Sequence, residues 1–310
     1  MGANLVFALN IIIFINGSPA ENFDMKSNNG YSRLLVGVDG SEASLHALRE
    51  AFKISTSWVT VVAVTPFYEG DLRLLGVPKS DRIIREPCDT ALAQAQEMAD
   101  AAGAVIQPRC ERGEPHERLV DLAETGSRDL IVLGSSGHNL LENLLVGSVT
   151  RRVIGFTSKD ILVVPPKATV GWDKILIATD GSAHSRQAAD RALELSQLQG
   201  SELLVVSVLD FPAGIRGVAP VERLELLKIC EGHVAEVVER AKAMNVKVQG
   251  FILEGVAYTA IADLAREQQA NLIVMGSHGQ TGLMRLLMGR VTERVIGHAP
   301  CPVLVVKGKE

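Results

Sequence analysis

Several chemistries are missing from this sequence. Its four cysteines, Cys88, Cys110, Cys230 and Cys301, are scattered through 310 residues with no CxxC pair. That spacing indicates neither a zinc site nor a disulfide framework, and buried, reduced thiols are the expectation. The seven histidines fall at no metal-ligand spacing. His138 and His278 lie in or beside glycine turns, while His46 and His184 open helices where solvation explains them. There is no GxxxxGK[ST] loop and no Gly-x-Ser-x-Gly elbow, so neither a P-loop nor an α/β-hydrolase nucleophile is supported. No carboxylate pair is placed as the acid and base of an efficient hydrolase. The net charge is −5 without a Lys/Arg stripe, which speaks against nucleic acid and acidic membrane surfaces as partners.

Long apolar runs are also missing. Ala3 to Ile15 is apolar almost throughout, but its 13 residues are short for a membrane span. Asn16-Gly-Ser-Pro-Ala20 would serve as the cleavage zone of a signal peptide, yet no Lys or Arg precedes the run. Residues 1–24 read as an upstream extension, residues 1–30 fall outside the fold as an extension or disordered tail, and a cytoplasmic location is expected.

What remains is a globular composition, 47% hydrophobic and 22% charged, long enough for two domains with separate cores. From Tyr31 onward, apolar runs alternate with amphipathic stretches. Strands are expected at Arg33–Val38, Val59–Val64, Ala104–Cys110, Leu130–Leu133 and Asp160–Val164. Helices are expected at Glu42–Ile54, Thr90–Ala102 (ended by Gly103) and Pro115–Glu124, with Pro66–Pro87 as a loop. Near-continuous apolar strands separated by helices predict a parallel sheet covered on both faces.

The series then begins again. Trp172 to Ser182 repeats Tyr31 to Ser41, Leu203–Leu209 repeats the second strand and Val246–Leu253 the third. Gly255 falls where Gly113 fell, Leu272 to Gly276 repeats Leu130 to Gly134, and Val303–Val306 repeats Ile161–Val164. The offset is read as constant but for one single-residue slip. A period of about 140 residues marks a duplicated domain, since solenoid units run about 20–50 residues. The expected domains are 31–166 and 172–308, joined by the proline-stiffened Pro165–Gly171.

The stretch carrying most chemistry is Gly134-Ser-Ser-Gly137, nine further residues, then Gly147-Ser148. Two close glycines admit a ligand to the backbone, and a glycine opening a helix offers free N–H groups to an anion. Phosphate binding is the chemistry suggested; a β-turn with a close helix–strand contact is the alternative. The spacing recurs at Gly276-Ser-His-Gly279 and Gly289-Arg290. Sheets of this kind bind ligands at the carboxyl ends of their strands. Two further pairs belong there: Val38-Asp39 with Thr179-Asp180, and Val64 with Val208. Taken alone, Asp39-Gly-Ser41 reads as a helix cap. It also resembles the loop of ATP pyrophosphatases but lacks their Ser-Gly-Gly.

With these residues in place, the sequence resembles the universal stress protein family, as a tandem member, from Tyr31 to Lys307. The family's nucleotide-binding pattern, Gly-x2-Gly-x9-Gly-[Ser/Thr], is matched at Gly134, Gly137, Gly147 and Ser148. Ala299-Pro-Cys-Pro-Val-Leu-Val-Val306 looks like its last strand. The resemblance implies two tandem Rossmann-like domains of the adenine nucleotide alpha hydrolase type, each a five-stranded parallel sheet with helices on both faces. It implies that Asp39 and Val64 frame adenine and ribose, that Gly134 and Gly137 lie under ribose and α-phosphate, and that Gly147, Ser148 and Thr150, beside Val149, hold the outer phosphates. Thr179, Asp180, Val208, Gly276, Gly279, Gly289, Arg290, Val291 and Thr292 are the matching positions of the second half. ATP is the implied ligand, with Mg²⁺ accompanying it through a water on Asp39 or Asp180.

The halves differ. Arg290 stands where the pattern has a small hydroxyl, and a guanidinium either pairs with phosphate or fills its space. His138-Asn139-Leu140 faces Gln280-Thr281-Gly282 in the copy. The functional expectation is an ATP-binding regulator or sensor of stress. An interaction module without nucleotide and a slow ATPase or phosphotransfer enzyme are the alternatives. The family resemblance also implies pairing of Ile161–Val164 with Val303–Val306, a pseudo-dimer within one chain, with self-association to a homodimer open.

Overall fold

The structure is a computed structural model that describes residues 30–67, 80–135, 146–210, 220–279 and 288–308. The readings placed on residues 1–29, on Gly137, His138, Asn139 and Leu140, and on Gln280, Thr281 and Gly282 lie outside the described residues.

In the first half the order is β1 (Leu34–Gly37), α1 (Glu42–Ala51), β2 (Val59–Thr65), α2 (Ser80–Ala102), β3 (Ile106–Arg112), α3 (Pro115–Thr125), β4 (Leu130–Gly134), α4 (Ser148–Phe156) and β5 (Asp160–Val164). The second half repeats it with β6 (Lys174–Ala178), α5 (Ala183–Gln199), β7 (Glu202–Leu209), α6 (Pro220–Ala243), β8 (Val248–Glu254), α7 (Ala257–Glu267), β9 (Leu272–Gly276), α8 (Arg290–His298) and β10 (Val303–Val306). The local causes are ordinary. Ser41 caps α1 by accepting from the Ser44 N–H, and Ser182 caps α5 through Ser185 in the same way. Gly103 and Gly200 end α2 and α5 at φ +64° and +69°, a conformation natural to glycine.

The ten strands form one sheet in the order β3-β2-β1-β4-β5-β10-β9-β6-β7-β8. Within each half the pairing is parallel. Between halves β10 runs antiparallel to β5, with Ile161 opposite Val305 and Val163 opposite Val303. Two apolar layers cover the faces. One contains Leu48 of α1, Ala95 of α2, Ala192 of α5 and Val237 of α6. The other contains Leu119 of α3, Ile154 of α4, Leu264 of α7 and Ile296 of α8. Leu34 and Val36 face the first layer and Leu35 the second, as the two-residue period of a strand demands. The chain is therefore a doubly wound α/β protein. Truncating a fully buried residue such as Leu48 to alanine costs about 2–5 kcal/mol.

Four expectations are corrected. The Pro66–Pro87 loop is shortened, because α2 begins at Ser80 and carries Pro87 inside it. The third strand starts at Ile106 rather than Ala104, whose N–H donates to the Ala99 carbonyl and closes α2. The constant offset fails at the second strand. Val38 pairs with Val62 and Thr179 with Val206, because α5 has 17 residues against 10 in α1. Finally, Cys88 and Cys110 are not free thiols: they form a disulfide between α2 and β3, whereas Cys230 and Cys301 remain free and buried. Sequence spacing missed this pair because α2 and β3 bring the two Cα atoms to 6.1 Å only after folding.

The seam between halves is polar at one end. The Tyr31 hydroxyl donates to Asp160 Oδ2 at 2.6 Å, and the Lys307 N–H donates to Oδ1 at 2.9 Å. Arg191 places Nε 3.3 Å from the same carboxylate and its guanidinium 4.9 Å over the Tyr31 ring. Burial lifts the Asp160 carboxyl above its ordinary range despite these donors. The connecting segment docks on α1: the Val170 N–H donates to Glu50 at 2.7 Å, and His46 Nε2 lies 2.7 Å from the Ala168 carbonyl. His46 is thus engaged by the connection rather than solvated. Because β5 and β10 are antiparallel, the carboxyl ends of the two sets of strands open at opposite edges of the sheet.

Candidate functional site

At the carboxyl edge of the second half lies a cavity of about 510 Å³, within the range of small-molecule sites. Residues from four separate stretches meet there: Thr179 and Asp180 after β6, Val208 in β7, Gly276 at the end of β9 with Gly279 beyond it, and Gly289 to Thr292 at the start of α8. All nine second-half positions singled out by the sequence line this one space. The Asp180 carboxylate accepts from the Ser182 N–H at 3.0 Å, holding the turn that starts α5. A Cβ on Gly279 would stand 2.6 Å from Asp180 Oδ2, so that glycine lets the two segments touch.

Some of the motif serves packing first. A Cβ on Gly276 would fall 2.8 Å from the His184 carbonyl, and one on Gly134 would fall 2.9 Å from the Ala43 carbonyl. Both strand ends need glycine because the first turn of the next-neighbour helix presses on them. The Thr292 hydroxyl donates to the Gly276 carbonyl at 3.0 Å, and the Thr150 hydroxyl to Gly134 at 2.9 Å. These threonines clamp strand to helix, a role the resemblance did not imply. Ser41 and Ser182 confirm the capping half of the Asp-Gly-Ser reading.

In the first half Val38 is buried at the end of β1, Asp39 follows exposed, and Asp39 Oδ1 accepts from the Ser41 N–H at 3.0 Å. Val64 is half-buried in β2. Gly147 precedes α4, Ser148 is exposed at its first turn, Val149 is half-buried and Thr150 buried. The Gly147 N–H donates to the Ser135 carbonyl at 2.8 Å, as the Gly289 N–H does to Ser277 at 2.9 Å. Neither α4 nor α8 has a side-chain cap at its N-terminus. The N–H groups there are the kind that receive an anion. Arg290 is exposed at the rim.

The sequence reading missed part of the second wall. Leu226, Ile229, Cys230 and His233 come from α6, and Ala257 and Ile261 from α7. His184 also belongs to this region: its ring centroid lies 5.5 Å from that of His278. Burial, with His278 and Lys307 nearby, lowers its pKa, while Asp180 opposes the shift. It is therefore not simply a solvated helix residue. The signal available in the sequence was the pairing of repeats, which sets His233 against Ala91. Gly40 faces Ala91, and Gly181 faces His233.

The doubly wound sheet defines a Rossmann-like α/β protein, and its carboxyl-edge cavity, with glycine turns and an uncapped helix start, lies where strand order reverses. The universal stress protein family model matches residues 30–165 and 171–307, and the chain belongs to that family. A universal stress protein of Methanocaldococcus jannaschii is 40% identical over 140 residues, covering 44% of this chain and 82% of its own. One from Mycolicibacterium smegmatis is 26% identical over 296 residues, covering 88% and 96%. The crystal structure of a universal stress protein from Archaeoglobus fulgidus superposes with a TM-score of 0.65 at 22% identity, covering 91% of this chain and 98% of that one.

Proposed function

We propose that the chain binds ATP at the carboxyl edge of its sheet and acts as a nucleotide-responsive regulator in stress. The observation that carries this reading is the convergence of Asp180, Val208, Gly279 and the α8 start on one cavity. Its apolar walls suit a base, and its uncapped helix start suits phosphates. Among the described residues no group of three or more His, Cys, Asp or Glu is placed to hold a metal. Mg²⁺ would therefore arrive on the phosphates, with Asp180 holding one of its waters. The site of the first half uses Asp39, Val64, Gly147 and Ser148 in the same roles.

The two units are 31–166 and 172–308, arranged as a pseudo-dimer through the β5–β10 pairing in a cytoplasmic protein. No described helix is long and apolar enough to cross a membrane. Regulation follows if ATP binds one arrangement of the halves or one partner complex better than another, since only unequal binding shifts a population. One observation favours the alternative of an interaction module: packing against Ala43 and His184 accounts for Gly134 and Gly276 in both halves without any ligand.

The test is nucleotide release from the purified, denatured chain, followed by melting with millimolar Mg-ATP. Bound adenine nucleotide and stabilisation of about 2.7 kcal/mol at a hundredfold excess over Kd are expected. No released nucleotide and an unmoved melting curve would sink the reading. Steady phosphate release abolished by Asp39→Ala would turn it toward an enzyme.

A further inference from the structure

We infer that His233 is a ligand-binding residue of the second site, one that reads the nucleoside end of the ligand and separates this site from the first. The inference rests on the nucleotide reading of that cavity. His233 sits on α6, lines the cavity and packs directly over Gly181. The backbone of Gly181 is at φ +73°, in the turn between Asp180 and Ser182. Its Nδ1 is buried and has no hydrogen-bond partner among the described residues. A buried ring nitrogen without a partner is uncommon in a folded protein, and here the side chain that carries it lines a cavity. In either tautomer Nδ1 is a donor or an acceptor, so a polar ligand atom satisfies it.

Its place in the fold says which end of the ligand it meets. Helix α6 packs over β7 and β8, on the far side of β6 from β9 and from the Gly289–Arg290 helix start. Phosphates received at α8 leave the base and ribose on the α6 side, beside Asp180. The neighbours of His233 there include Ile229 and Cys230 of its own helix, and Ile261 lines the cavity from α7. That surface packs on a base and supplies few hydrogen bonds of its own. In the first half the corresponding position is Ala91, whose Cβ lies 3.7 Å from where a Cβ on Gly40 would be. Ala91 offers no polar atom, and the polar group that α2 brings to this point is the Gln94 amide, its Oε1 also 3.7 Å from that Cβ position, so the first site has an amide where the second has an imidazole.

The test uses the full chain carrying Ser148→Glu, whose added carboxylate repels phosphates at α4 while suiting the helix start. ATP and inorganic tripolyphosphate are titrated calorimetrically against this chain with His233, His233→Leu or His233→Asn. Asparagine keeps a hydrogen-bonding group near the Nδ1 position. The expected result is about tenfold weaker ATP binding by His233→Leu, restoration to within about threefold by His233→Asn, and unchanged tripolyphosphate affinity. Equal ATP binding by His233→Leu overturns the role of His233 while leaving the nucleotide reading intact. Equal weakening of ATP and tripolyphosphate overturns the nucleoside assignment. If the Ser148→Glu chain with His233 binds no ATP, the nucleotide reading of this cavity falls and takes the inference with it. Should His233→Leu fail to fold, the nitrogen chemical shifts of His233 in the otherwise unaltered chain decide. Nδ1 must move on adding ATP and stay put on adding tripolyphosphate, and an unmoved Nδ1 with ATP bound overturns the inference.

Discussion

The two halves share one fold and differ at the positions that border their strand ends. The first half has Ala43, Ala91 and Ser148 where the second has His184, His233 and Arg290, and it staples α2 to β3 through Cys88–Cys110. The second half keeps Cys230 as a free thiol in the cavity wall. Duplication thus preserved what packs the sheet, together with Asp39/Asp180, Val64/Val208 and Gly147/Gly289, and varied other positions around the strand ends. The core positions are under steric constraint from both faces, while an edge residue is constrained only by what it touches. The comparison predicts a covalently braced first half beside a second half richer in polar ligand contacts.

The largest expected difference is in stability. Reducing Cys88–Cys110, or changing Cys88→Ser, removes a cross-link spanning 22 residues and should cost the first half about 3 kcal/mol. Hydrogen exchange with and without dithiothreitol reads this directly. Protection should fall at β2 and β3 and hold at β7 and β8. Equal loss in both halves would remove the bracing argument.

Next is Gly279→Val. The added Cβ would stand 2.6 Å from Asp180 Oδ2, so either the carboxylate or the loop must move. ATP affinity of the second half should drop about 100-fold, or about 2.8 kcal/mol. The number of ATP molecules bound per chain, counted calorimetrically, should fall by one while the melting temperature barely changes. Retention of the full count would place the ligand elsewhere.

The seam joining the halves can be broken with one oxygen. Tyr31→Phe deletes the 2.6 Å hydrogen bond to buried Asp160, leaving that carboxylate with one donor fewer. A loss of about 1–3 kcal/mol is expected in urea unfolding. Asp160→Asn with Tyr31→Phe should recover part of it, because the buried charge is gone.

How much of this was legible in the sequence follows from what generated each feature. Strand and helix identities were readable because Leu34 to Val36 and Leu130 to Leu133 are apolar on both faces, as only a covered parallel sheet requires. The duplication was readable because Asp180-Gly-Ser182 copies Asp39-Gly-Ser41. What escaped depended on distances through space. Cys88 and Cys110 carry no pairing signal until α2 lies against β3. The packing duty of Gly134 and Gly276 is visible only once the starts of α1 and α5 press on them. No glycine motif accompanies His233 on α6; only the repeat register, which sets it against Ala91, marks it in the sequence, and its meaning comes from Gly181 beneath it.

A milder test of the halves exchanges their helix starts. If Arg290 pairs with phosphate, Arg290→Ser should weaken ATP binding in the second half by about tenfold, or about 1.4 kcal/mol. It should also flatten the salt dependence there, because a guanidinium contact is screened by added ions. If the guanidinium fills the phosphate space, the same change should strengthen binding. Ser148→Arg in the first half should move affinity in the opposite direction to Arg290→Ser. Movement in the same direction would mean that the surroundings, not the side chain, set the difference.

The smallest predicted difference is a pH response confined to the second half. His184 is held below its ordinary pKa by burial first, then by His278 and Lys307, with Asp180 pulling the other way. Its folded pKa therefore lies below the unfolded value of about 6.5. Above that value both states carry a neutral ring and stability is at its full level. As pH falls below it the unfolded chain takes up the proton first, so stability is lost down to the folded pKa. The side chain is partly solvated, so the effect should be small. Melting temperature should therefore fall between pH 7.5 and 5.5, and His184→Ala, which copies Ala43 of the first half, should shrink the drop. An unchanged drop in His184→Ala would assign the acid sensitivity to a group other than His184 and Asp160. Asp160 is separable by sign, since its raised pKa contributes stability at low pH and loses it as pH rises. A residual slope of that opposite sign in His184→Ala is therefore the mark of the seam, and a flat profile the mark of His184 acting alone.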